Sequence, residues 1–357
     1  MEDAFDGGRQ GPLVRGARGA RDRDGTGDPL IVFGKKKNGV SDDALRILFA
    51  TDLHGSESAF RKFVNAAVEF KADIALLGGD LTGKTLVPVL PSNGGHTAEF
   101  MGRQLKAESE PELEELERTI RLAGQYPLRT TTADTERMRE RPEEVDRVFL
   151  EAMRASVQGW FDLAAERLAP RGIRMFAIAG NDDPRGLDEV LKRHEFVESV
   201  DRMPVEIEPD IEVLGFSGAN RTPWNSPREY EEREIHAILE QEIGRIRAPE
   251  RSIWNIHVPP RDSGLDTCPE VRPDLTVVSD GGEPRLHGAG SSAVRELIEQ
   301  YQPMLSVHGH IHESRAIGRL GKTVAVNPGS EYTEGILRAA FIRIDPKRGV
   351  RAQLLST

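Results

Sequence analysis

Cysteine is almost missing from this sequence. Cys268 stands alone among 357 residues, so no internal disulfide can form and thiol redox chemistry is not expected. Long apolar runs are missing too. No stretch approaches the ~18 residues that a membrane-spanning helix needs, and the Gly-, Arg- and Asp-rich residues 1–29 hold no apolar core of a secretory signal. A cytoplasmic protein with no membrane partner is the expectation. Positive charge is in short supply, with 48 Lys and Arg against 59 Asp and Glu, a formal net charge of -11. Because nucleic acid is held mainly by clustered cations, long nucleic acid is disfavoured as a partner. What the sequence does have is 38% hydrophobic residues, enough for a buried core. At ~150 residues per domain the length suggests about two domains, or one large core with an insertion.

Residues 1–41 read as a disordered tail, since Gly, Arg and Asp dominate and no apolar period appears. Residues 42–357 read as the folded domain. There, short apolar runs at 45–51, 73–79, 173–180, 211–218, 252–258, 303–309, 322–329 and 337–345 predict buried strands. Helical patterns alternate with them, the first placing Phe60, Phe63, Val64 and Ala67 on one face, which indicates an α/β fold. Ser226, Pro227 and Glu229 predict the start of another helix by a capping box. From about 94 to 170 no strand pattern is expected. Ser109 and Glu112 cap a short acidic helix there, and a long one follows Pro142 with Val145, Phe149, Met153, Val157, Trp160 and Leu163 at helical spacing, closed by Pro170-Arg171-Gly172. This helical insertion either thickens one face of a sheet or forms a lid over a site.

The chemistry stands at the strand ends. The first strand runs into Asp52-Leu53-His54, the second into Gly79-Asp80, the third into Gly180-Asn181-Asp182-Asp183, a later one into His257, and another into His308-Gly309-His310-Ile311-His312. In α/β sheets ligands gather beyond the carboxyl ends of the strands, so loops far apart in the chain can share one pocket. Mixed imidazole and oxygen donors suit Mn, Fe, Zn, Co or Ni better than Ca or Mg, and the lack of thiolates argues against a structural zinc site.

Each fragment alone is weak, but their order, D-x-H, G-D, G-N, a lone His and G-H-x-H, resembles the calcineurin-like metallophosphoesterase family over residues 45–345. That resemblance implies a four-layer αββα sandwich of the metallo-dependent phosphatase type, with the helical insertion, and two divalent transition-metal ions. It implies Asp52, His54 and His312 on one metal, Asn181, His257 and His310 on the other, and Asp80 bridging both. Asp80, Asn181 and Asp182 are then the candidate catalytic residues, and Asn181 and Lys84 the candidate substrate contacts. His308 lies outside the motif and is expected behind the ligands. His96, His194, His236 and His287 have no role in it and are expected at the solvated surface. His257-Val258-Pro259-Pro260 with Leu265-Asp266, Gly309 to Ser314, and Asn327 to Ser330 are similar to a narrower branch of the family, and the Pro-Pro and Asn327 to Ser330 segments read mainly as loop-shaping. The implied reaction is hydrolysis of a phosphate ester or anhydride; the acidic chain, which disfavours bulk DNA, makes a small phosphodiester the expected substrate, with phosphomonoesters and nucleotide anhydrides as alternatives.

The pattern departs from the family at one place. After G-N the family has a histidine that contacts the scissile phosphate and serves as proton donor; here it is Asp182, a carboxyl with a reference pKa of ~3.9. That substitution motivates a rival reading, a non-catalytic metal-binding scaffold on the same fold. Asp183 is a candidate substitute acid. A second pattern, Gly78 to Thr85, matches the phosphate-binding G-x-x-x-x-G-K-[ST] loop. The continuation Leu86-Val87-Pro88-Val89-Leu90-Pro91 holds two prolines and so disfavours the helix that such a loop requires.

Overall fold

The computed structural model describes residues 44–357; the tail expected over 1–41 lies outside them. Two six-stranded sheets form the body. The first runs Gly349–Ser356, Arg338–Asp345, Leu45–Ala50, Ile74–Gly78, Arg174–Ile178, Val197–Ser199. The second runs Ala316–Leu320, Thr323–Asn327, Leu305–Val307, Ile253–Ile256, Ile211–Phe216, Val205–Glu208. Parallel pairing links the four strands from Leu45 to Ser199 and the inner four of the second sheet. Parallel strands are covered on both faces, which is why they read as unbroken apolar runs. All eight strands expected from sequence are present. Gly349–Ser356, Ala316–Leu320, Val197–Ser199 and Val205–Glu208 were not anticipated. They are the outermost strands of the two sheets, and their mixed polar sequences give little apolar signal.

The two-residue strand period decides which neighbour each side chain meets. In Leu45–Ala50, Ile47 and Phe49 pack with Val213, Ile253, Leu305 and Val326 of the other sheet. Leu48 and Ala50 point the opposite way, onto helix Glu57–Glu69 and helix Pro142–Leu168. In the second sheet Trp254 and Ile256 turn outward onto helices Glu232–Ile243 and Ser292–Tyr301. The expected face of the Glu57 helix is buried, and the rings of Phe60 and Trp160 stack at 4.6 Å.

Three expectations need correction. The segment from 94 to 170 is not purely helical. Strands Gly95–Phe100, Arg103–Ala107 and Tyr126–Arg129 join Leu86–Ser92 in a four-stranded sheet over helix Glu110–Leu122. Its hairpins turn at Asn93-Gly94 and at Met101-Gly102, the latter with φ of 49° and 70°, a conformation that two-residue hairpins favour. Asn-Gly was a legible turn signal there, masked by the polar strands beside it. Ser109 does stand before the Glu110 helix but makes no side-chain cap; Glu112 instead accepts from the Glu108 amide. No helix starts at Ser226. The Glu229 carboxylate folds back onto Ser226 and Thr222, and the helix begins six residues later, with Glu231 and Glu234 as its capping box. The long helix after Pro142 is as expected.

Candidate metal centre

Each candidate ligand follows the carboxyl end of a parallel strand. The loops are tied to one another by backbone bonds, Asp52 N to Gly79 O, His54 N to Asp80 O and Gly55 N to Leu81 O. Asp52, His54, Asp80 and His310 all adopt left-handed backbone, with φ of 53°, 41°, 49° and 66°. Non-glycine residues avoid this region, and positions held in it cluster at functional sites. The motif glycines have a steric reason. A Cβ on Gly180 would stand 2.0 Å from Asp80 Oδ1, and one on Gly309 would stand 2.2 Å from Asp52 Oδ2.

These loops gather the side chains into a buried cluster. One donor atom each of Asp52, His54, Asp80 and His312 lies within 4.8 Å of the others. His54 Nε2 stands 3.1 Å from His312 Nε2 and 3.5 Å from Asp80 Oδ2, and His312 Nε2 is 3.3 Å from Asp52 Oδ1. On the other side, His257 Nε2 lies 2.9 Å from Asn181 Oδ1 and 3.5 Å from Asp80 Oδ2. The His310 ring is 5.5 Å from that of His257, and its amide donates to both Asp52 oxygens. Asp80 therefore sits between the two groups.

The donor set fits divalent transition metals. For metal–ligand bonds near 2.1 Å, neighbouring donors stand about 3.0 Å apart in an octahedral shell and about 3.4 Å in a tetrahedral one, close to the shortest donor separations here, 2.9–3.5 Å. The orientation of His257 adds a chemical argument. Its Nδ1–H donates to Gly78 O at 2.8 Å, so Nε2 faces Asn181 Oδ1 and Asp80 Oδ2. Asn181 Nδ2 donates to Ser226 Oγ and Asp182 Oδ1, which turns its oxygen toward the ring. A proton or a cation must stand between Nε2 and those oxygens. This is the arrangement of a metal-binding histidine braced through its other nitrogen.

Crowding perturbs the titrations. Burial pushes the Asp80 carboxyl up to about 6. Burial works to lower His257, but Asp80 and Asp52 outweigh it and raise the ring to about 10. Burial pushes His310 down to about 3, and it lowers His54 well below the usual range with help from Lys84 and His312. For Asp52, burial is overcome by the surrounding imidazoles, which hold the carboxyl below its ordinary value. Strong perturbation of several groups in one place is characteristic of functional sites.

Lys84 and Asp182 meet at the rim. Lys84 Nζ lies 2.5 Å from Asp182 Oδ2, while the Asp182 amide donates to Asp80 Oδ1. Burial opposes ionisation of Asp182, yet the ammonium of Lys84 prevails and holds its pKa at about 2. Lys84 thus holds Asp182 in its ionised form. Asp183 is no substitute. It is fully buried and accepts from the amides of Leu81, Thr82 and Gly180 and from Thr82 Oγ1, which clamps the Asp80 and Asn181 loops together. After Lys84 the chain enters strand Leu86–Ser92 rather than a helix, in agreement with the reading against a nucleotide-binding loop.

Supporting residues behind the cluster are also in place. His308 bonds Ile256 O and Val258 O through Nδ1 and Ser306 Oγ through Nε2, bracing the backbone on both sides of His257. Asn327 donates to Leu265 O, Gly309 O and Ile311 O, and Asp266 accepts from Asp262, Ser263 and Gly290 amides. Asn327 thus fixes the loops around it, as expected of its segment. Tyr332 was not anticipated; its ring lies 4.6 Å from that of His54 and 5.9 Å from that of His312. His194 is also not a solvated histidine, since its side chain is 7% exposed and Nδ1 accepts the Phe196 and Val197 amides.

No protein-family model matches the chain. Over 158 residues it is 30% identical to the uncharacterized protein MJ1162 of Methanocaldococcus jannaschii, covering 44% of this chain and 64% of the relative. The matched region thus spans just under two thirds of that relative's length. Among solved structures, one crystal structure matches with a TM-score of 0.50 at 17% identity, covering 87% of this chain and 98% of the other. That likeness is one of fold. TT1561 of Thermus thermophilus matches with a TM-score of 0.47 at 15% identity, with the same coverage. The chain resembles the calcineurin-like metallophosphoesterases. The resemblance rests on the ordered motifs and on the Asp and His cluster that they form; it breaks where such a metallophosphoesterase would have a histidine and this chain has Asp182.

Proposed function

We propose that the chain is a dinuclear metal-dependent phosphoesterase on an αββα sandwich. The carrying observation is the convergence of Asp52, His54, Asp80 and His312 within 4.8 Å. When bound, two divalent transition metals (Mn, Fe, Zn, Co or Ni) supply the Lewis acidity that makes water nucleophilic at neutral pH and offsets phosphate charge. Asp52, His54 and His312 would hold one ion, Asn181, His257 and His310 the other, and Asp80 both. Asn181 is neutral, so it ligates without cancelling the positive charge that draws phosphate in.

The remaining residues position the substrate. Lys84 Nζ binds a phosphate oxygen, and Asp182 keeps the ammonium at the rim instead of letting it swing into solvent. The Glu57–Glu69 helix starts three residues after His54, so the positive end of its dipole adds to the attraction. Lys84 holds the Asp182 carboxylate ionised where the family has its proton-donating histidine, which favours esters with good leaving groups. A small phosphodiester is the preferred substrate, in keeping with the acidic chain; the cytoplasm is the proposed setting. No described helix is long and apolar enough to cross a membrane. The test is metal analysis of purified protein together with hydrolysis of a panel of diesters, monoesters and nucleotide anhydrides with added Mn. Two ions per chain and metal-dependent diester hydrolysis are expected. Full activity in a chelated, metal-free sample overturns the reading, and two bound ions with no hydrolysis of any class favours the non-catalytic scaffold.

A further inference from the structure

The chain has three tryptophans. Trp160 and Trp254 are core residues, 4% and 0% exposed, whereas Trp224 is 53% exposed. Its loop follows strand Ile211–Phe216, whose carboxyl end lies beside that of Ile253–Ile256, the strand leading to His257. An exposed indole on a floppy loop would be unremarkable. This loop is held. The Glu229 carboxylate, itself 7% exposed, accepts from Thr222 N, Thr222 Oγ1, Ser226 N and Ser226 Oγ, and the Trp224 amide donates to Thr222 Oγ1. Ser226 Oγ in turn accepts from Asn181 Nδ2 at 2.8 Å, and the Arg228 amide donates to Asn181 O. Two residues of chain span at most about 7 Å, so the Trp224 backbone lies within that distance of Ser226, whose hydroxyl touches Asn181.

We propose that Trp224 is an aromatic platform at the mouth of the Asn181 side of the site, and that the substrate carries a planar aromatic group, a nucleobase or an aryl ring, which stacks on it. The inference deepens the phosphoesterase reading and rests on it only for the position of the phosphate. A preordered loop loses little freedom when a ring stacks, so the gain from contact is kept as affinity. Tryptophan supplies a large rigid face, and bases of any sequence can use it.

The test is intrinsic fluorescence of the full-length protein, in which Trp224 is the solvent-accessible emitter, on mixing with AMP, with phenyl phosphate and with ribose 5-phosphate. Saturable quenching by AMP at lower concentration than by ribose 5-phosphate is expected. Phenyl phosphate distinguishes the two sources: quenching as strong as that by AMP assigns an aryl ring, and weaker quenching assigns a base. Read by titration calorimetry, because the variants lack the fluorescent reporter, Trp224→Ala should weaken AMP binding about 5- to 100-fold, the range for loss of one stacked base, and bring the AMP to ribose 5-phosphate preference toward one. Trp224→Phe should restore part of that preference. Equal binding of all three probes, or a preference that Trp224→Ala leaves intact, overturns the platform. These outcomes are separate from the phosphoesterase reading, which fails only if metal-dependent hydrolysis is absent.

Discussion

The inner cluster and its rim are built differently. Inside, Asp52, His54, Asp80 and His257 are at most 2% exposed, left-handed backbone recurs, and the carboxylates press against Gly180 and Gly309 so closely that a methyl group would collide. At the rim, the Lys84 side chain is 44% exposed and Trp224 53%. Inside, geometry leaves almost no choice of residue; outside, the exposed side chains are under no such steric constraint. On the proposed function, the cluster would carry the reaction class and the rim its selectivity.

The sharpest way to break that division is to damage the inside. Asp80→Asn should cut hydrolysis by roughly 10³-fold or more, because it weakens a group placed to serve both metals at once. Metal analysis should find fewer than two ions per chain. Retained stoichiometry and rate would show that Asp80 bridges nothing. Next in size is Asp183→Ala, which strands four buried donors. Their loss should destabilise the protein by about 3–5 kcal/mol, measured as the urea midpoint of metal-free protein. A change below about 1 kcal/mol would mean that the loops are held together by other contacts.

The inside was legible from sequence because its demands are local: a strand end, a glycine where the next loop comes close, then Asp, Asn or His. The same logic missed what depends on distant partners. Glu229 looks like a helix cap until its carboxylate is seen closing the 222–226 loop. Lys84 and Asp182 are 98 residues apart, and nothing in either segment announces their pairing. The insertion sheet was lost for another reason. Arg103–Ala107 is mostly exposed, and Gly95–Phe100 begins with three half-buried residues, Gly95, His96 and Thr97, so the alternation that marks a strand is faint.

A third, smaller effect concerns pH. Burial pushes His308 from 6.5 down to about 4. In the unfolded chain the ring takes up its proton near 6.5, so between there and about 4 the unfolded state binds more protons and stability rises with pH. The contribution is complete above 6.5 and is lost as pH falls toward about 4, amounting to something on the order of 3 kcal/mol. His308→Gln should flatten this part of the pH–stability curve of metal-free protein. An unaltered slope would assign the loss to other groups.

The smallest expected effect sharpens the comparison most, because it asks whether the rim performs chemistry or only binding. Asp182 is ionised at about 2 and engaged by Lys84 and Asn181. A positioned general acid contributes roughly 10²- to 10⁴-fold, and its loss hurts alkyl esters more than aryl esters. A carboxylate that only anchors an ammonium acts through binding, so Asp182→Asn should mainly raise KM, by less than about 10-fold, with equal effect across a leaving-group series. Lys84→Met removes the charge itself and should raise KM about 10- to 100-fold, the worth of one charge-assisted hydrogen bond, while Lys84→Arg recovers part of the loss. The measurement is kcat and KM for parent and variants on alkyl, phenyl and nitrophenyl diesters at matched metal occupancy. If Asp182→Asn instead lowers kcat by 10²-fold or more, and most for alkyl esters, the carboxyl is donating a proton and the rim belongs to the catalytic machinery.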